Sequence, residues 1–97
     1  MINKFELSIE SVNAELAAVI EEKDKPRRTK AEVLHYLTRL CSAAHQTAMM
    51  QEYLYNKPRP TEPQKKSDRR EALKMYPDGL LGLTVMIADA LDELTAM

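Results

Sequence analysis

Residues 78–97 read DGLLGLTVMIADALDELTAM, and their spacing decides the fold. Wound at about 100° per residue, Leu80, Leu83, Ile87, Leu91 and Leu94 fall on one helix face. Met86, Ala90 and Met97 widen that face on one side and Leu81 and Ala88 on the other, which leaves Gly82, Asp89, Asp92 and Glu93 as the polar remainder. A single neighbouring helix does not cover so wide an arc. The segment is expected to lie among several helices, from its own chain or from a second copy. Leu80, Leu83, Ile87, Leu91 and Leu94 are thus candidates for both core and self-association, and a homodimer or higher oligomer is expected.

Working outward from this helix, Asp78 can cap its start, and Pro77 separates it from what precedes. Ser67 or Asp68 is placed to cap a short helix containing Ala72, Leu73 and Met75; Pro77 should end it and push Tyr76 out of helical geometry. Residues 56–66, NKPRPTEPQKK, hold three prolines and almost no apolar group, which predicts an extended, solvated connection.

Thr29 followed by Glu32 is a capping-box pattern, and the helical signal then runs without Gly or Pro to about Tyr55. Val33, Leu37, Leu40, Cys41, Ala44 and Ala48 form the expected inward face. His35, Arg39, Ser42, Gln46, Met49 and Tyr53 recur at spacings of four and three on a stripe read as roughly opposite to it. That stripe holds one charged residue, Arg39, and with Met49 and Tyr53 it carries types enriched in interfaces, so it is the candidate partner-binding surface.

Ile2, Phe5, Ile9, Val12, Leu16 and Val19 give a first helix over residues 2–20, capped by Asn3 or Ser8 and ending near Lys23, before Pro26. Phe5, Leu7 and Ile9 also alternate with polar residues, and an extended arm over residues 2–10 is the alternative. The reading is therefore all-α: one helical domain over residues 1–97, a small bundle of three main helices plus one short helix, with the proline-rich connection at 56–66.

Composition agrees with that class. Two glycines, one phenylalanine, no tryptophan and a surplus of Ala, Leu, Glu and Met favour helix. Cys41 is the one cysteine, so no intrachain disulfide forms, no zinc pattern exists, and a reducing cytoplasm is expected. The N-terminus lacks the apolar core of a signal peptide, and the run near residues 80–91 is shorter than the about 20 residues a bilayer span needs. No membrane partner is expected.

Net charge is -1, yet the sign alternates along the chain. Residues 1–22 carry Lys4 against five glutamates, and residues 78–97 carry four acids and no base. Between them lie Lys23, Lys25, Arg27, Arg28 and Lys30, then Lys57, Arg59, Lys65, Lys66, Arg69, Arg70 and Lys74. Lys65, Lys66, Arg69 and Arg70 form a candidate basic docking loop for an acidic protein surface or, alternatively, for nucleic acid.

Little of this is catalytic chemistry. His35 and His45 sit about 15 Å apart along their helix and cannot share a metal ion. Asp89 with Asp92 or Glu93, and Glu15 with Glu21 and Glu22, offer oxygen ligands at loose spacing, so no metal or cofactor is expected. AEVLHYLTRL, residues 31–40, resembles the second helix of the all-helical nucleoside triphosphate pyrophosphohydrolases. That family holds magnesium with paired ExxE and ExxD carboxylates, whereas here Glu15 is followed three places later by Ala18 and Glu32 by His35. The expected function is a non-enzymatic protein-interaction module, an adaptor, inhibitor or regulatory subunit that docks through its helices. A nucleic-acid-associated regulator is the alternative, and a diverged pyrophosphohydrolase the third reading.

Overall fold

The computed structural model describes residues 8–57 and 61–97. Three α-helices follow one another: α1 Ile9–Glu22, α2 Lys30–Asn56 and α3 Pro63–Thr95. Among the described residues there is no strand. None of the helices is long and apolar enough to cross a membrane.

The caps explain where two of the helices begin. The Ser8 hydroxyl accepts the Ser11 N–H at 3.0 Å while the Ser8 N–H donates to Ser11 Oγ at 2.9 Å, so two otherwise orphaned donors are satisfied at the start of α1. Thr29 Oγ1 likewise accepts the Glu32 N–H at 3.1 Å. Residues 1–7, with Ile2 and Phe5 and most of the proposed arm, lie outside the described residues.

α2 carries the seam of the bundle. Val33, Tyr36, Leu40, Ala43, Thr47, Met50 and Leu54 are buried at alternating spacings of three and four, the heptad pattern of helices packed side by side. Thr47 is tolerated there because its hydroxyl donates to the Ala43 carbonyl at 2.7 Å. Ala72, Tyr76, Leu83 and Ala90 answer from α3. Val12, Met50, Leu54, Ala72 and Tyr76 make one apolar cluster; Val19, Tyr36, Leu40, Ala43, Leu83 and Ala90 make the other. The end of α2 therefore meets the beginnings of α1 and α3, and the three helices run up, down and up. With 14 residues against 33 in α3, α1 covers one side of the α2–α3 pair.

Three expectations change. The short helix and the final helix are one element, continuous through Pro77. An internal proline costs about 3 kcal/mol. Here its ring lies on the exposed side, while the preceding Tyr76 is fully buried. Burial of a side chain that large is worth about 1.5–3 kcal/mol, and an unbroken rod is what carries Ala72 and Tyr76 as well as Leu83 and Ala90 onto the α2 seam. The connection is also shorter than residues 56–66, because Pro63 occupies the first helical position, where its missing N–H is no loss.

The third change is a rotation of α2. Of the expected inward face only Val33 and Leu40 are fully buried; Cys41 and Ala48 are exposed, and Leu37 and Ala44 are half-buried. The face turns by one residue because Tyr36, Thr47 and Met50 take the seam.

Candidate functional site

Three parallel heptad stripes run along α2. Beside the buried seam, one residue earlier at each step, lie His35, Arg39, Ser42, Gln46, Met49 and Tyr53; one residue later lie Leu34, Leu37, Cys41, Ala44, Ala48, Gln51 and Tyr55. The first stripe is the one read from sequence as opposite the core. It instead borders the seam on the side of α1. Arg39 Nη1 donates to Glu22 Oε1 at 2.6 Å and Nη2 to Glu15 Oε1 at 3.4 Å, both carboxylates on α1. Arg39 is therefore engaged within the chain. Tyr53 lies under Lys57 Nζ, 4.7 Å from its ring centre, while His35, Ser42 and Met49 are exposed and Gln46 is half-buried.

The second stripe borders the seam on the side away from α1. Leu37 and Ala44 pack against the core edge together with Ile87 of α3, whereas Leu34 remains 49% exposed and Cys41 and Ala48 are exposed. Across from it on α3 run Leu80, Thr84, Ile87 and Leu91, where Leu91 is 47% exposed. The five α3 residues marked for core and self-association thus divide: Leu83 is buried, Leu80, Ile87 and Leu94 are half-buried, and Leu91 is open. Between Leu34 and Ala48 on this stripe, and between Leu80 and Leu91 on the facing side of α3, no charged residue intervenes.

On the opposite side, α1 and α3 diverge over a groove of about 450 Å³. Leu16, Ala17 and Ile20 form one wall; Met75, Gly79, Gly82 and Met86 form the other, and Tyr76 and Leu83 lie between them. The Tyr76 hydroxyl is buried without a hydrogen-bond partner among the described residues, and burial raises its pKa.

The basic residues have structural work of their own. Arg27 Nη1 donates to the Glu22 and Lys25 carbonyls at 3.0 Å, and its Nε and Nη2 reach Glu93 on α3 at 3.2 and 3.1 Å. The guanidinium sits 4.0 Å from the Tyr36 ring centre, so one side chain joins all three helices. Burial raises the Tyr36 pKa, against the opposing pull of Arg27. Arg69 Nε donates to the Leu54 carbonyl at 3.3 Å and closes the end of α2. Lys65, Lys66 and Arg70 are exposed on the opening turns of α3, with Lys65 3.6 Å from Glu62.

Of the carboxylates weighed as magnesium ligands, Glu15 and Glu22 are held by Arg39 and Glu93 by Arg27. Glu21 stands exposed on α1, and Asp89 and Asp92 stand exposed on α3. Sequence periodicity found the α3 face, but neither the groove nor the role of Arg27, whose partner Glu93 lies 66 residues away. No protein-family model matches the chain, and comparison with curated proteins and with solved structures finds no match.

Proposed function

We propose that the chain is a small non-enzymatic protein-interaction module that works by helix-mediated docking. We further propose that its principal docking surface is the uncharged flank shared by α2 and α3, seated against the same flank of a second copy. One observation supports this above the others: Leu34, Leu37, Cys41, Ala44 and Ala48 run beside Leu80, Ile87 and Leu91, and among the described residues no helix lies across them. From Leu34 to Ala48 this flank is about 21 Å long, and two helices are about 20 Å wide, giving about 420 Å² of projected face. A stable interface buries about 800 Å² per partner, so the patch would form the apolar centre of such an interface and its surroundings the rim. Its lack of charge suits an isologous contact, because identical surfaces meeting across a two-fold axis place like charges together. Ion pairing of Glu15, Glu22 and Glu93 within the chain favours this reading over the pyrophosphohydrolase.

Sedimentation equilibrium at micromolar concentration tests it. The expected result is twice the chain mass, falling to the monomer when Leu34→Glu is combined with Leu91→Glu, with helicity retained. A wild-type monomer at about 100 μM would end the proposal. Nucleic-acid association is the second reading, favoured by the exposed Lys65, Lys66 and Arg70, and it requires retention on DNA or RNA that weakens steeply with salt.

A further inference from the structure

Gly79 and Gly82 are hard to explain from within the chain. Both lie inside α3, where glycine weakens a helix relative to alanine. Neither has a positive φ, so the backbone does not require glycine. A Cβ added at either position would meet no atom within 4 Å, so no close packing requires it either. Both line the α1–α3 groove.

The rest of the groove is that of an unfilled contact. Its lips carry Ile20 and Met75, 59% and 53% exposed. A cavity of about 150 Å³ takes one benzene-sized group, so a groove of about 450 Å³ takes about three large apolar side chains. Three anchors, at i, i+4 and i+7, are what an amphipathic helix presents to a groove. Small residues in the wall let its backbone come close.

The rim gives the partner's charge. Asp78 lines the groove, Asp89 follows one turn beyond Met86, and Glu10 and Glu21 border the α1 wall next to Asn13 and Ala17. None of these four carboxylates has a hydrogen bond or ion pair among the described residues. The nearby bases are Lys23 and Arg27, which line a neighbouring pocket together with Asp89, Arg27 being held by Glu93, and Lys74, exposed on α3 four residues before Asp78. We infer that the α1–α3 groove is the docking site of an amphipathic helix from another protein, with apolar anchors over Gly79 and Gly82 and basic residues on both flanks. This surface is separate from the self-association flank. It extends the interaction-module reading without needing the dimer.

The probe is a helical peptide with leucines at i, i+4 and i+7 and lysines flanking them, titrated into the full chain and followed by fluorescence anisotropy. A twin peptide carries glutamates in place of the lysines. The lysine peptide should bind at least about tenfold tighter than its twin, and should weaken between about 50 and about 500 mM salt. Gly82→Leu should keep or raise Tm, since its side chain enters open space and favours helix, yet lose at least about tenfold in binding. The Leu34→Glu, Leu91→Glu chain should bind as the wild type does, which separates this site from the dimer. No saturable binding of the lysine peptide, equal binding of the twins, or unchanged binding by the Gly82→Leu chain overturns the inference. If Gly82→Leu dissociates a dimer, the groove belongs to a second copy. If Phe5→Ala raises peptide affinity about tenfold, residues 1–7 of the chain occupy it. Either result also overturns the inference.

Discussion

The two flanks of α2 are dressed in the opposite sense to their cover. Beside α1, where the chain supplies a neighbouring helix, stand His35, Arg39, Ser42 and Gln46; on the far side, where the described residues supply none, stand Leu34, Leu37, Cys41, Ala44 and Ala48. Burial preference in a chain that works alone would arrange them the other way round. The covered flank needs polarity because α1 is registered at its margin by charge, Arg39 reaching both Glu15 and Glu22. The uncovered flank is large, uncharged and rich in small residues.

The sharpest way to break this comparison is to truncate a leucine on the seam and one on the outer flank. Leu40→Ala should cost about 2–5 kcal/mol in urea denaturation, because Leu40 is fully buried and the space it leaves cannot collapse. Leu34→Ala, measured at a dilution at which the chain is monomeric, should cost about 0.5 kcal/mol or less. Equal losses would mean that the outer flank is core after all.

A smaller effect sharpens the other side. Arg39→Ala should cost about 1 kcal/mol, since the pairs with Glu15 and Glu22 are partly solvent-exposed, and the loss should shrink in high salt. Arg39→Lys should recover only part of it, because an ammonium cannot span both carboxylates as a guanidinium does. No loss in either variant would leave the seam alone to hold α1.

The smallest change concerns the seam itself. Tyr76→Phe should be neutral or stabilising by up to about 1 kcal/mol, because the deleted hydroxyl is buried without a partner among the described residues. Burial raises the folded pKa of Tyr76 above the ordinary 10.0. Its contribution to stability is therefore complete below pH 10 and is lost as pH rises through the folded value. Melting curves at about pH 8 and about pH 11 should show the gap between Phe and Tyr chains widening at the higher pH. A constant gap would mean the phenol reaches water in the folded state.

Much of the fold was legible because helix propensity and spacing are local. The all-α class, the caps at Ser8 and Thr29 and the apolar face of the last helix follow from residues within a few positions of one another. Continuity through Pro77 was not legible. A proline's cost is local, but the burial of Tyr76 that offsets it comes from Val12 and Met50, far away in sequence. The rotation of α2 was hidden for a related reason: Tyr36 and Thr47 look like surface residues until Arg27 covers one and the Ala43 carbonyl accepts the hydroxyl hydrogen bond of the other. Of the five α3 residues read by period as one face, Leu83 is buried, while Leu80, Ile87 and Leu94 are half-buried and Leu91 is open. The groove was not legible, because it depends on how far α1 stands from α3.

Pro77 divides α3 where the two apolar clusters also divide, with Ala72 and Tyr76 before it and Leu83 and Ala90 after it. The Leu73 carbonyl finds no N–H four residues on, so at that turn the hydrogen-bond ladder loses a rung and side-chain packing bridges the gap. Cooperativity in a helix travels along that ladder, and it is weakest where a rung is missing. The 33-residue rod is therefore weakest at that turn. Gly79 and Gly82, also poor helix formers, follow within five residues, so this part of α3 is held by its packing on α2 more than by its own helix propensity.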